Sequence, residues 1–336
     1  MQLYTDGGWL DVRKINEMKY PFVFVYGGRG IGKTFGEADI ITGPGRGKTL
    51  FLRRTKTEYD IITSAEMNTF SDYNVETGHG LKFEKQRGFS VISENGESVG
   101  LCAALSTFSN LRGGGFEQFG IDFLLYDEFI PERHKSKIRN ESDVLLNIYE
   151  TINRNRELKG RDPLKVRCFA NSNDIKNPIF IGLGLVSMAE KMARKGSEML
   201  IDAEKGVVLI DCKNSPISKR KAETALYRLS AGSEFFNMAI KNEFNSELFP
   251  PVARPLIEYK PIVTVGEISI YQHKSNKKIY VCAAVKSAAP KFTATDTQLE
   301  MFRIRFSYLY DRFLENTIEF ESNLSQILFM TYFKMI

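Results

Sequence analysis

An apolar run that leads directly into a glycine-rich loop constrains this chain more than any other feature. Residues 22–26 read Phe-Val-Phe-Val-Tyr and are followed by G-x-x-x-x-G-K-T, with a possible helix from Phe35. This is the pattern of a phosphate-binding loop, in which backbone N–H groups surround the phosphates, the lysine reaches the β- and γ-phosphates and the threonine hydroxyl binds Mg²⁺. The alternative is a glycine-rich turn without a ligand. The pattern predicts a nucleotide site at Gly27, Gly28, Arg29, Gly30, Ile31, Gly32, Lys33 and Thr34, with Thr34 as a Mg²⁺ ligand.

A second Gly-Lys-Thr occurs within residues 43–49. Its spacing is wrong, because Thr42 stands where the first glycine of the pattern belongs, and Pro44 interrupts the segment. The apolar run that follows, residues 50–52, predicts a strand rather than the required helix. We therefore interpret this segment as a connection between a helix and a strand.

Two acids at the end of an apolar run form the second half of the pattern. Residues 123–128 read Phe-Leu-Leu-Tyr-Asp-Glu. In phosphate-loop enzymes the first acid, here Asp127, contacts the Mg²⁺ shell, and an adjacent Glu128 can polarise the water that attacks the γ-phosphate. A strand end with two exposed acids is the alternative. The pair favours ATP hydrolysis and the RecA-like (ASCE) branch over a kinase or a small GTPase.

Further strands surround these two. Residues 50–54 predict one strand, and residues 89–105 predict a hairpin around Asn-Gly. A strand inserted between the two motif-bearing strands is the RecA-like arrangement. Residues 166–170 predict another strand, beside the acidic one, and the polar side chain of Asn171 or Ser172 at its tip is a candidate sensor of the γ-phosphate. A simple Asn/Ser turn is the alternative.

One arginine is a candidate for action on a neighbouring subunit. Residues 141–157 predict a helix, and at about 100° per residue Arg154 points away from the buried face while Arg156 falls near it. Ring ATPases place such an arginine across the subunit interface, where it stabilises the charge of the transition state. A solvated arginine at a helix end is the alternative.

Basic side chains in two loops are candidates for DNA contact. They can bind phosphates without reading bases, and an exposed solvated loop is the alternative in each case. The candidates are Arg112, Lys135, Lys137 and Arg139.

Length and composition limit the number of domains and the class of protein. The 336 residues suffice for roughly two domains, and 43% hydrophobic residues suit a packed protein. The first residues lack the basic start and apolar core of a secretory signal, and the four cysteines show no C-x-x-C pair. We therefore expect a cytosolic protein with reduced thiols and no membrane segment. The net charge of +5 permits nucleic-acid binding without demonstrating it.

The remainder of the chain predicts two smaller parts. Residues 1–205 are assigned to the motor domain, 206–250 to a linker domain and 251–336 to a C-terminal domain of α+β type. Residues 262–282 predict two strands joined near Lys274 to Lys278, and a long helix follows from about Asp296. An α+β domain of RNase H-like type is the candidate here, and an active nuclease of this type needs clustered carboxylates for two metal ions. Here Glu267, Asp296 and Asp311 are available, but the first strand lacks an aspartate, so we expect a vestigial nuclease.

Five segments together resemble the genome-encapsidation ATPases of small, protein-primed podoviruses, a terminase-like family. The likeness covers about residues 20–180 specifically and is weaker through residue 244. The segments are Gly27–Thr34, Leu52–Lys56, Asp127–Ile130, Asn153–Glu157 and Arg167–Asn173.

This resemblance implies a motor that uses ATP and Mg²⁺ to drive double-stranded DNA into an empty capsid. It implies a homo-oligomeric ring, usually a pentamer, docked on the portal of a procapsid in the host cytoplasm, and in some members held by a scaffold RNA. By position, Arg154 would act in trans, Lys56 would lie near the subunit interface and could also act in trans, and Arg53 and Arg54 would support phosphates or DNA. For Trp9 we expect core packing rather than contact with the adenine.

Three other functions compete with this reading. A terminase large subunit with an active nuclease would cut as well as package DNA. A helicase would need strand-separating motifs that the sequence does not offer. A kinase or GTPase-type switch is disfavoured by Glu128 and by the absence of N-K-x-D.

Overall fold

The computed structural model describes residues 2–43, 47–111, 113–131, 138–171, 174–233, 249–285 and 289–335. The chain forms two compact units, Met1–Phe244 and Asn245–Ile336. Each unit has its own sheet and its own buried core.

The first unit is built on a nine-stranded sheet in the order β3-β4-β5-β2-β6-β7-β1-β9-β8. The six strands from β5 to β9 in this order are parallel, and the edges are completed by antiparallel pairing. The parallel strands are apolar runs buried on both faces, as expected for a sheet covered by helices. The strands are β1 (Phe22–Tyr26), β2 (Lys48–Arg53), β3 (Lys82–Lys85), β4 (Ser90–Glu94), β5 (Glu97–Ala104), β6 (Ile121–Asp127), β7 (Lys165–Ala170), β8 (Met199–Asp202) and β9 (Val207–Asp211).

The strand that lies between the two motif-bearing strands is β7. It pairs with β1 on one side and with β6 on the other, whereas β2 lies on the far side of β6. The inserted strand of the RecA-like arrangement therefore comes after the acidic motif in sequence, and not from the segments between the two motifs. Because all these strands are parallel, their carboxyl ends meet at one edge of the sheet, where α/β proteins place their ligands.

Nine helices are described in the first unit, and the phosphate-loop pattern leads into one of them as predicted. The helix predicted over residues 141–157 ends at Asn153, because Arg154 adopts a positive φ of 46° and a short 3₁₀ turn, Glu157–Lys159, follows. The helices are α1 (Val12–Asn16), α2 (Lys33–Thr42), α3 (Lys56–Ile62), α4 (Ser71–Thr77), α5 (Glu141–Asn153), α6 (Pro178–Gly182), α7 (Val186–Arg194), α8 (Pro216–Lys221) and α9 (Ala225–Leu229).

The second Gly-Lys-Thr does not form a phosphate loop. Lys48 and Thr49 belong to β2, and Thr49 is fully buried in the sheet. Its hydroxyl therefore lies inside a strand and not at the start of a helix, where a Mg²⁺ ligand of this pattern belongs. The predicted strand is confirmed and begins two residues earlier than residue 50.

The first unit also extends beyond residue 205, where the sequence placed the end of the motor domain. Strand β9 pairs with β1 over its whole length, from Phe22↔Val207 to Tyr26↔Asp211. The beginning of the predicted linker segment is thus part of the central sheet.

The second unit is a small α+β unit around a five-stranded sheet in the order β13-β10-β11-β12-β14. The predicted first strand is two strands, because Gly266 adopts a φ of 49° and turns the chain between them. The predicted long helix is likewise two helices, which meet at Phe306 and Ser307. The elements are β10 (Tyr259–Val265), β11 (Ile268–His273), β12 (Ile279–Ala283), β13 (Lys291–Phe292), α10 (Asp296–Arg305), α11 (Tyr308–Leu314), β14 (Ile318–Phe320) and α12 (Asn323–Tyr332).

Candidate active site

The loop between β1 and α2 needs its glycines for conformation and for space. Gly27, Gly30 and Gly32 have φ values of 150°, 62° and 98°, which L side chains rarely adopt. A Cβ on Gly27 would also lie 2.8 Å from the Cβ of Cys212, which directly follows β9. The loop is therefore held tightly against the end of the neighbouring strand.

Lys33 lies inside this loop and binds its carbonyl groups. Its ammonium donates hydrogen bonds to the carbonyl oxygens of Gly27 at 3.1 Å and Gly28 at 2.6 Å. Burial lowers the pKa of Lys33 to about 8, although nearby acids, Asp127 and Glu37 among them, oppose this shift. An anionic phosphate beside this ammonium would remove much of the cost of burying its charge.

The lowered pKa of Lys33 predicts that ATP affinity falls as the pH rises above about 8. A bound triphosphate stabilises the ammonium, so binding above this pH takes up a proton, while the phosphates themselves are already ionised. We expect affinity to drop by up to about tenfold per pH unit there. Calorimetry in buffers of different ionisation enthalpy would measure the proton uptake; equal affinity at pH 7.5 and 9.5 would contradict this assignment.

A cleft of about 490 Å³ joins the loop to the end of the acidic strand. It brings together five of the eight predicted loop residues with two of the predicted catalytic residues, Glu128 and Asn171. Trp9 also lines it and is 46% exposed, so the expectation that Trp9 packs in the core was wrong. The lining residues are Trp9, Arg29, Gly30, Gly32, Lys33, Thr34, Phe35, Glu128 and Asn171.

The two acids at the end of β6 occupy different environments. Asp127 is buried, and Glu128, at a positive φ of 55°, is a quarter exposed at its side chain and faces the cleft. Asn171, at the end of β7, donates to Glu128 Oε1 at 3.4 Å. The sensor candidate and the candidate base therefore lie side by side because β6 and β7 are parallel neighbours.

Arg53 binds both acids, and the sequence did not predict this. One guanidinium nitrogen contacts Asp127 Oδ2, and the other donates to Glu128 Oε2 at 3.0 Å. Arg54, fully buried, pairs with Glu141 at 2.8 Å. Both arginines are thus paired with carboxylates. Arg54 is fully buried, so the expectation that it contacts DNA was wrong, whereas contact of Arg53 with a phosphate stays a prediction. Because β2 pairs with β6, the carboxyl end of one strand delivers Arg53 to the carboxyl end of the other.

Replacing Arg53 by methionine should destabilise the protein. The change would leave Asp127 buried without its ion-pair partner, which typically costs about 3–5 kcal/mol of unfolding free energy. The matched control is Arg13→Met, which removes an ion pair with Asp39 whose arginine is 65% exposed and should cost no more than about 1 kcal/mol. Urea unfolding measures the loss of unfolding free energy in both variants. Equal losses would show that the buried ion pair contributes no more to stability than the exposed one.

Another unpredicted group is Glu37, one helical turn after Lys33. Its carboxylate is fully buried, and neither of its oxygens has a hydrogen-bond partner within the described residues. Burial, and then the charge of Asp127, raise the pKa of Glu37 well above its ordinary value. Burial also raises the pKa of Asp127, and the charge of Arg53 opposes it.

These oxygen donors fit Mg²⁺. This ion prefers one or two carboxylates, hydroxyls and phosphate oxygens over a complete cage of protein ligands. Asp127 and the Thr34 hydroxyl supply this chemistry near the buried carboxyl of Glu37, which accepts no hydrogen bond from the residues that the structure describes. Across the described ranges, no group of three or more His, Cys, Asp or Glu side chains could hold a metal ion by itself.

The two candidates for action in trans do not line this cleft within the described part of the chain. Arg154 is 47% exposed and lies 3.8 Å from Glu117, and Lys56 is 46% exposed and pairs with Asp60 in its own helix. Arg156 instead is buried and donates to Asp122 at 2.9 Å, as its predicted orientation requires.

The remaining candidates are only partly described. Arg139 is exposed just before α5, whereas Arg112, Lys135, Lys137 and Ser172 lie outside the described residues. The four cysteines all lie in described residues, where they are buried and form no disulfide. No helix in the described residues is long and apolar enough to cross a bilayer.

Comparison with known proteins identifies the family. The model of the family described as Podovirus DNA encapsidation protein (Gp16) matches residues 10–265, more than half of the chain. The DNA packaging protein of Bacillus phage B103 is 32% identical over 233 residues, which cover 67% of this chain and 65% of that protein. The DNA packaging protein of Bacillus phage phi29 is 28% identical over 237 residues, covering 67% of this chain and 63% of that protein. The matched segment thus spans less than two thirds of either relative.

Two solved structures share the fold along almost the whole chain. One is the viral genome packaging motor assembly of bacteriophage Phi-29, with a TM-score of 0.69, 18% identity and 99% of each chain covered. The other is the Phi-28 gp11 DNA packaging motor, with a TM-score of 0.66, 20% identity, and 98% of this chain and 99% of that chain covered. The fold and the family match agree: the chain belongs to the family of podovirus DNA encapsidation proteins.

Proposed function

We propose that this protein is an ATP-hydrolysing motor that moves double-stranded DNA into a preformed viral capsid. The observation that carries the proposal is the cleft in which Lys33 and Thr34 meet Glu128, in a chain of the DNA encapsidation family. The names of the relatives, DNA packaging proteins, support the same function.

The triphosphate is held by the loop between β1 and α2. Backbone N–H groups of the loop and the start of α2 face the phosphates, and Lys33 exchanges the carbonyls of Gly27 and Gly28 for β- and γ-phosphate oxygens. Thr34 and Asp127 would hold Mg²⁺, which neutralises charge on the phosphates when bound.

Glu128 acts on the attacking water. Its carboxylate accepts a proton from the water, while Asn171 orients the carboxylate through the bond to Oε1. Arg53 donates to the other oxygen, Oε2, and its positive charge stabilises the ionised form of Glu128.

The active assembly is a ring in which each site is completed by its neighbour. Arg154 and Lys56 are exposed and away from their own cleft, which fits contacts in trans. By family likeness we propose a homo-oligomer, a pentamer, that docks on the portal of a procapsid in the host cytoplasm and, where required, on a scaffold RNA.

The second unit is proposed to be an RNase H-like domain that has lost nuclease activity. Strand β10 carries no acidic residue, and Glu267 lies in the turn after it. A terminase with an active nuclease is the competing function. Incubating the purified protein and plasmid with Mn²⁺ or Mg²⁺ separates the two, because cleavage would contradict a vestigial domain.

Phosphate release with and without procapsids and double-stranded DNA tests the motor itself. We expect ATP hydrolysis that rises when both are present, together with DNA that becomes protected from added DNase. If the protein instead used ATP hydrolysis to unwind a forked duplex and protected no DNA from DNase, a helicase would be favoured.

A further inference from the structure

A second lysine approaches the phosphate loop from α8. Strand β9 ends beside the loop, and α8 is held there by a hydrogen bond from the Ile217 N–H to the Gly8 carbonyl at 3.3 Å. At the last residue of α8, the Lys221 ammonium donates to the carbonyl oxygen of Arg29 at 2.7 Å. Its Nζ also lies directly against Gly30.

Two ammonium groups thus bind three successive carbonyls of one loop. Lys33 takes those of Gly27 and Gly28 from inside, and Lys221 takes that of Arg29 from outside. A neutral carbonyl is a weaker partner for an ammonium than an anionic phosphate oxygen, because charge-assisted hydrogen bonds are roughly twice as strong. The charge of Lys221 also contributes to the lowered pKa of Lys33, so the two cations lie within electrostatic reach of each other.

We infer that Lys221 is a second phosphate-binding cation of this site, which exchanges the Arg29 carbonyl for an oxygen of the γ-phosphate when ATP binds. This inference rests on the function proposed above. The γ-phosphate is assigned because Arg29 and Gly30 line the same cleft as Glu128, the acid that acts on the water beside that phosphate.

The contact also links the nucleotide to the chain after the sheet. The Lys221 ammonium lies 5.4 Å from the ring centroid of Tyr227, a buried residue of α9. Moving the ammonium toward the phosphate changes this cation–π contact, so α8 and α9 respond to the presence of the γ-phosphate. Through Lys221, the contacts of α8 and α9 therefore differ between the ATP-bound and the ADP-bound protein.

The test compares Lys221→Met with Lys219→Met, which removes an exposed lysine from the same helix. Binding of Mg·ATPγS and of Mg·ADP is followed through the fluorescence of Trp9, the single tryptophan of the chain, which lines the cleft. A lost hydrogen bond between charged groups should weaken ATPγS binding by about tenfold to hundredfold in Lys221→Met. ADP affinity should change little, and Lys221→Arg should recover most of the loss.

Three other outcomes would contradict the role of Lys221, the γ-phosphate assignment or the proposed function. Unchanged ATPγS affinity in Lys221→Met would show that Lys221 only tethers α8 to the loop. Equal losses for ATPγS and ADP, with an unchanged melting temperature, would refute the γ-phosphate assignment. Failure of the unmodified protein and of Lys219→Met to bind either nucleotide would overturn the proposed function itself, and the role of Lys221 with it.

Discussion

Glu128→Gln is expected to bind Mg·ATP about as tightly as the unmodified protein and to hydrolyse it about 10²–10⁴-fold more slowly. The amide keeps the size of the side chain and can still bond to Asn171, but it cannot accept a proton from water. Trp9 fluorescence measures binding, and phosphate release measures turnover.

The matched control is Glu84→Gln, an exposed acid on the edge strand β3. This variant should have the ATP affinity and the hydrolysis rate of the unmodified protein. Continued hydrolysis by Glu128→Gln at the normal rate would remove Glu128 from the role of base.

Arg154→Ala should abolish hydrolysis alone and regain it when mixed with Lys33→Ala. An arginine that stabilises the transition state from a neighbouring subunit contributes about 10³–10⁵ in rate. In a mixed ring, an Arg154→Ala subunit keeps an intact cleft and a Lys33→Ala subunit keeps an intact arginine, so adjacent pairs rebuild complete sites. Titrating one variant into the other and measuring phosphate release should therefore show a maximum at intermediate ratios.

Arg161→Ala is the control for this experiment, because Arg161 is a 53% exposed arginine that lies 3.9 Å from the same Glu117. It should hydrolyse ATP normally by itself. An inactive Arg154→Ala that no mixture rescues would place Arg154 in its own subunit's site instead.

The geometry of the glycine-rich loop and of the acidic strand end was predictable because each follows a local sequence pattern. The apolar runs of β1 and β6 indicate buried strands, and the polar residues at their ends indicate a ligand edge. The loop and the acidic strand end lie close together because β7 pairs with both β1 and β6. The position of β7 beside β6 was correctly predicted.

The pairing of Arg53 with the two acids was missed because Asp127 lies 74 residues away in the sequence. Nothing near Arg53 in sequence indicates that β2 pairs with β6, and an arginine at the end of a strand most simply suggests exposure. A different long-range pairing, that of β9 with β1, brings the segment that carries Lys221 to the glycine-rich loop. Trp9 was misjudged because tryptophan side chains are on average highly buried, whereas this one is 46% exposed.

The second unit shows the limits of periodicity. Apolar residues at 3–4 spacing continue from α10 into α11, so the pattern predicts one helix, although the backbone breaks at Phe306 and Ser307. Gly266 likewise interrupts a continuous apolar run that reads as one strand. In both places, a local change of backbone conformation ends an element that the pattern of apolar side chains would continue.

A crystal structure with Mg²⁺ and a non-hydrolysable ATP analogue would show whether the glycine-rich loop and the acidic strand end form one nucleotide site. We expect a triphosphate wrapped by residues 27–34, with Thr34 and Asp127 as the protein groups at the metal ion and the terminal phosphate facing Glu128. An analogue bound at residues 47–49, or a cleft without nucleotide at saturating concentration, would contradict it.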